Sequence, residues 1–317
     1  MEYRKLISFG KSSYVISLPK SWIKHNSLKK GDVVYLEESG PSLLLSKRDA
    51  SEQKEEKEKV ICVDGKPSVA IGREVYSAYI QNYRRIVLKG KEIKNKVKEL
   101  QTIIQSLIAL EIMEQTSDSI VAKDFLNMDN VSVLELIRKM DVVTRTMMKE
   151  TCSIFKEDNY ESLNERDMDV NRLYFLFYRA ILYNLENPSK ALKNLKLSGK
   201  DLLAYQFIGF YIEAIADEVR RAARYARLLK VTSQKEKQIE NILLLMNDFY
   251  VQTMKAAYNK DVEFAYSLSE GKQNLSKGIE SLEAEAMKIP NLYDLVNRLK
   301  RMSSLVHNMG RVVYTVN

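Results

Sequence analysis

The sequence predicts a multidomain protein with a small all-β head, a mixed α/β connecting region and an all-α tail of tandem three-helix bundles. Three observations predict it. Glycine-punctuated runs rich in Val, Ile and Tyr fill residues 1–48, a charged segment lacking large apolar side chains follows at 49–59, and apolar residues recur at helical spacing in six stretches from Val131 onward. Composition agrees, because 45% hydrophobic and 29% charged residues with 11 Gly and 5 Pro in 317 exclude collagen-like, low-complexity and wholly disordered classes.

In the head, strand chemistry runs over Tyr3 to Phe9, Ser13 to Leu18, Val33 to Leu36 and Leu43 to Leu45, broken at Gly10, Gly31 and Gly40-Pro41. Pro19 opens a short helix, where its missing N–H costs nothing. So few short strands cannot bury a core alone, which predicts a homodimer. The run KRDASEQKEEKEK (47–59) alternates charge sign and reads as an exposed linker.

The connecting region, 60–130, reads as a strand at Val60 to Val63, a helix near Val69 to Tyr83, a strand at Ile86 to Leu88 and a helix from Lys91 to about Ala109. Beyond it the six helical stretches break at Glu157-Asp158-Asn159, Asn187-Pro188-Ser189, Lys230 to Ser233, Asn259-Lys260-Asp261 and Ile289-Pro290. Ile208, Ile212, Ile215, Val219, Ala222, Ala226 and Leu229 draw one apolar seam down the third helix. DVVTRTM (141–147) and DFYVQTM (248–254) share Asp, Thr and Met in the first helices of two halves, and this repeat predicts bundles at 131–230 and 231–317.

The chemistry of the chain points away from an enzyme. His25 and His307 are the only histidines, and no Walker loop, GxGxxG, CxxC or HExxH is present. Two cysteines, Cys62 and Cys152, make no disulfide framework, and neither a signal core nor a membrane-length apolar run appears. These features predict a reduced cytoplasmic protein with no membrane insertion. Residues 1–48 hold nine basic and four acidic side chains, five of the eight net positive charges, so a dimeric head would present a strong field to DNA. Charge alone leaves a solvated basic surface as the other reading. On the third helix Glu213 and Asp217 stand at i and i+4 on one face, fit for a metal if neighbouring oxygens join them. Arg220 and Arg221, at i+3 and i+4 from Asp217, make an ion-pair face the other reading.

The order RKLISFGKSSYVISLPKSWIKHNSLKKGDVVYLEESGPSLLLSKR (4–48) resembles the AbrB/SpoVT/MazE swapped-hairpin family of DNA-binding domains, through Gly10-Lys11-Ser12-Ser13, Leu18-Pro19-Lys20-Ser21-Trp22 and Gly31-Asp32-Val33-Val34. The resemblance implies a dimeric barrel whose DNA contacts fall here on Arg4, Lys5, Lys11, Lys20 and Lys24. Segments 164–181 and 205–226 look like the PhoU phosphate-uptake regulator family, of two three-helix bundles with E/DxxxD motifs that in some members bind iron or zinc. Glu213 and Asp217 fit that motif, Asp167 ends at Asn171, and Glu270 ends at Asn274. The resemblance therefore implies a reduced iron or zinc site of Asp167, Asn171, Glu213 and Asp217 in the first bundle. In the second bundle Lys300 and Ser304 stand opposite Glu213 and Asp217, which removes the acid pair.

A swapped-hairpin head on a PhoU-like tail resembles archaeal PhoU-type regulators with an AbrB-like domain. That architecture implies a DNA-binding, negative regulator of phosphate uptake and phosphate homeostasis. Its alternative is an adaptor whose bundles contact a phosphate-transporter ATPase or signalling protein while the head only dimerises.

Overall fold

The computed structural model describes residues 3–39, 42–47 and 57–316. The turn expected at Gly40-Pro41 and most of the 47–59 linker lie outside them. The chain divides into two compact units, Met1–Glu55 and Glu56–Asn317.

The head unit is built from two hairpins and a short helix. Strands β1 (Ile7–Phe9) and β2 (Ser13–Val15) pair antiparallel, Ile7 opposite Val15. Gly10 makes their turn possible, since its φ of 72° is left-handed. Helix α1 (Lys20–His25) starts after Pro19, which caps the helix and does not enter its first turn; the Pro19 carbonyl accepts from the Ile23 N–H at 3.1 Å. Strands β3 (Tyr35–Ser39) and β4 (Ser42–Ser46) form the second hairpin, and Lys47 Nζ donates to the Asn26 carbonyl at 2.8 Å, tying it to the end of α1. No described side chain of the head is buried.

In the second unit a four-stranded sheet carries β5 (Glu58–Cys62), β6 (Arg85–Lys89), β7 (Leu110–Gln115) and β8 (Ser119–Asp124) in the order β5-β6-β8-β7. β5 and β6 are parallel, joined through α2 (Ser68–Ile80), while β8 runs antiparallel to both its neighbours. Helix α3 (Ile93–Gln105) ends earlier than the sequence suggests, because Ala109 turns left-handed (φ 62°) and the chain enters the β7–β8 hairpin. Ile71, Val75, Leu100 and Ile104 of the two helices bury against Ile61, Ile86, Leu88 and Ile120 of the sheet.

Six long helices follow: α4 (Val133–Cys152), α5 (Tyr160–Glu186), α7 (Gly199–Ala226), α8 (Ser233–Asn259), α9 (Val262–Ala286) and α10 (Leu292–Val316). A short helix α6 (Pro188–Lys190) and a π turn at Ala191–Leu195 occupy the break after Asn187, ended by left-handed Lys196. The starts are marked by capping side chains: Ser132, Ser198, Thr232 and Asp261 accept from the N–H three residues on, and Ser198 with Asp201 completes a capping box. Every residue of the predicted seam from Ile208 to Leu229 is buried. Gly209 lets α7 approach α5, since a Cβ there would enter the Phe177 ring. α4, α5 and α7 pack together, as do α8, α9 and α10, and one continuous core joins the two triplets.

The sheet region meets the bundle at a buried ion pair. Arg179 of α5 donates to Asp124 Oδ2 at 2.6 Å and to Asn82 Oδ1 at 2.8 Å, with its guanidinium 4.6 Å over the Tyr79 ring; both charged side chains are wholly buried. Arg84 Nε also reaches Asp124 Oδ2 at 3.2 Å but is partly exposed, so removing Arg179 leaves the buried carboxylate under-compensated. Arg179→Ala should therefore lower unfolding free energy by about 3–5 kcal/mol in urea denaturation, while Arg179→Met with Asp124→Leu should recover much of the loss.

Candidate functional site

The predicted DNA-binding side chains all lie on the head's surface. Arg4 and Lys5 precede β1, Lys11 follows Gly10 in the β1–β2 turn, and Lys20 and Lys24 stand one turn apart on α1; all five are exposed. Among the described residues Lys5, Lys11, Lys20 and Lys24 have no ion-pair partner. Asp32 instead spends its carboxylate on a backbone group, accepting from the Lys29 N–H at 2.7 Å. The cations thus remain available to an external anion.

The same surface is heavily apolar. Phe9 is 69% and Tyr14 71% exposed, and Tyr3, Ile7, Val33 and Leu36 are also open to solvent. Each of these side chains gains roughly 1.5–3 kcal/mol when fully buried, so the surface is a strong drive for association.

In the first bundle the structure brings Asp167 and Asn171 of α5 toward Asp217 of α7, but with an arginine between them. Arg220 donates from Nε to Asp167 Oδ2 at 3.0 Å and from Nη2 to Asp217 Oδ1 at 2.7 Å. Arg221 holds the other Asp217 oxygen at 2.6 Å, and Asn171 Nδ2 donates to Asp167 Oδ2 at 3.3 Å. A guanidinium therefore fills the position that a bridging cation would need. The iron or zinc that family resemblance implies does not fit this donor set. The ion-pair reading of Asp217, Arg220 and Arg221 describes the geometry. Among the described residues no three His, Cys, Asp or Glu side chains converge as a metal site. The side chain of Glu270 lies outside the described ones.

Glu213 differs from its neighbours because it makes no hydrogen bond or ion pair among the described residues. Burial, with Asp217 and Asp167 nearby, pushes its carboxyl up to about 7. Burial also raises Asp167, against the pull of Arg220.

Glu218, one residue beyond Asp217, is a site the sequence conceals. It is buried and accepts three guanidinium groups, Arg221 at 3.2 Å, Arg298 at 3.3 Å and Arg301 at 3.1 Å, the last two from α10. With Arg220 and Arg221 it extends a chain of alternating charges from α5 through α7 to α10. The only sequence signal is an acid beside Val219 on the apolar seam.

His25 is exposed on α1, and His307 lies on α10 among Tyr266, Tyr314 and Thr253. No helix among the described residues is long and apolar enough to cross a membrane.

Comparison with known proteins places both ends of this architecture. Residues 7–53 match the family described as antidote-toxin recognition MazE, bacterial antitoxin. The fold is similar to the crystal structure of PhoU from Pseudomonas aeruginosa, with a TM-score of 0.51 and 14% identity over 58% of this chain and 94% of that one. No curated protein sequence matches significantly. The chain thus joins a head that matches the MazE model to a mixed sheet and a helical bundle whose fold is similar to that of PhoU.

Glu213 fixes the sign of a pH effect. Its folded-state carboxyl titrates above the unfolded value, so the folded state holds the extra proton and stability falls as pH rises from about 4.5 to about 7. Glu213→Gln should flatten that slope and stabilise the protein at pH 8 by on the order of 2 kcal/mol, checked by urea melts at several pH values.

Proposed function

We propose that the chain is a homodimeric, cytoplasmic DNA-binding regulator of phosphate uptake and phosphate homeostasis, acting negatively. The observation that carries this is the head: free lysines at the hairpin turn and on α1, on a module whose apolar side chains have no cover within one chain. Two heads interleaved as swapped hairpins would bury Phe9, Tyr14 and their neighbours and repeat the cations about a two-fold axis. Arg4, Lys5, Lys11, Lys20 and Lys24 then contact the DNA backbone, with lysine acting as a point charge and not as a bidentate base reader. Phosphate enters through the likeness of the bundle to PhoU, and the bundle is where a signal from a partner is received.

A second reading is supported by an apolar stripe on α7. Leu203, Phe207 and Phe210, at i, i+4 and i+7, are each close to half exposed and suit a protein partner such as a phosphate-transporter ATPase. In that case the head only dimerises.

DNA-affinity selection of genomic fragments by the full-length protein near physiological salt separates the two. Enrichment of discrete sites upstream of phosphate-transport genes is expected, whereas uniform weak retention together with a co-purifying transporter subunit favours the adaptor. Arg4→Glu with Lys11→Glu removes four cations per dimer and should weaken binding to a selected site by roughly 100-fold or more and flatten its salt dependence; unchanged affinity would contradict the interface.

A further inference from the structure

Where the sheet region abuts α4 and α5, the surface opens into a groove of about 540 Å³. That volume falls within the range of small-molecule sites. Its floor is aliphatic, made by Ile108 from the turn after α3, Val142 and Val143 of α4 and Leu173 of α5. Val142 is 62% exposed, so the floor has no cover within the chain.

The rim is cationic. Arg138 and Lys139 of α4 have no ion-pair partner among the described residues, and Arg172 of α5 reaches its only carboxylate, Asp169, at 3.9 Å. Both members of that last pair are solvated, so it holds Arg172 weakly. Three cations against one carboxylate leave the groove an excess of positive charge above an apolar base.

This combination selects among ligands. No aromatic ring lines the groove, so a nucleobase would find no stacking partner. Inorganic phosphate would leave the aliphatic floor wet. The complementary molecule carries a short aliphatic chain and an anionic head, the chain on Val142 and Leu173 and the head among Arg138, Lys139 and Arg172.

We propose that the groove between the sheet region, α4 and α5 binds a single soluble amphiphilic anion of this class, an aliphatic carboxylate or phosphate monoester. This site stands apart from the DNA-binding reading, since its test measures ligand uptake and not DNA affinity.

The test is calorimetric titration of the full-length protein with octanoate and octyl phosphate below their aggregation limits. Octan-1-ol, inorganic phosphate and phosphatidylglycerol vesicles are run alongside. A single saturable site per chain is expected for both anions, with the alcohol and phosphate weaker by roughly tenfold or more, because each lacks half of the complementarity. Arg138→Ala with Arg172→Ala, and separately Val142→Asp, should each reduce affinity by roughly tenfold or more at an unchanged thermal midpoint, since the substituted side chains are exposed. No saturable uptake, equal uptake by both variants, phosphate binding as tightly as octyl phosphate, or binding to vesicles without binding to octanoate would each overturn the proposal.

Discussion

The head has apolar side chains but no interior, and the proposed DNA recognition rests on how that is resolved. Ile7, Phe9, Tyr14, Val33 and Leu36 all face solvent in one chain. Two hairpins and a six-residue helix are too little to enclose them. In the proposed dimer a second copy supplies the missing half and doubles the cationic surface. On that proposal burial and charge act together: the apolar residues would set the oligomer, and the oligomer the spacing at which Lys11 and Lys20 meet phosphates.

The second unit handles charge in the opposite way, by sealing it inside. Arg179 with Asp124 joins the sheet to α5, and Glu218 draws three arginines from α7 and α10. Such groups are costly to bury singly and are tolerated here because each is answered at hydrogen-bonding distance. The same logic explains the acidic cluster of the first bundle. With Arg220 seated between Asp167 and Asp217, the bundle carries its own counter-charge, and Glu213 is left as the carboxyl whose charge depends on pH near neutrality.

Elements governed by local chemistry were readable in the sequence. The seam from Ile208 to Leu229 follows a single period and is buried throughout, and the helix breaks fall where Asn187-Pro188 and Asn259-Lys260-Asp261 interrupt that period. The β7–β8 hairpin was not, because its turn at Thr116 to Asp118 lacks the Asn-Gly or Asp-Gly signature and a bulge between Ile112 and Glu114 breaks the alternation of β7. Arg179 is a cation among Phe175, Leu176, Phe177, Ile181 and Leu182 that the sequence reading did not single out, and nothing local names Asp124 as its partner. The Glu218 cluster was hidden for the same reason, since Arg298 lies 80 residues away and helix packing alone brings them together. The spacing of Glu213 and Asp217 was visible, whereas the seating of Arg220 across two helices depended on how α5 and α7 pack.

The central claim is that the head is completed by a second copy. Sedimentation equilibrium of the full-length chain at micromolar concentration tests it, paired with Phe9→Asp and Leu36→Asp, which place a charge on the exposed apolar surface. The account predicts twice the chain mass for the native sequence and a shift to one chain mass in the variants, with loss of DNA binding. A native chain that is monomeric and still binds DNA would contradict it.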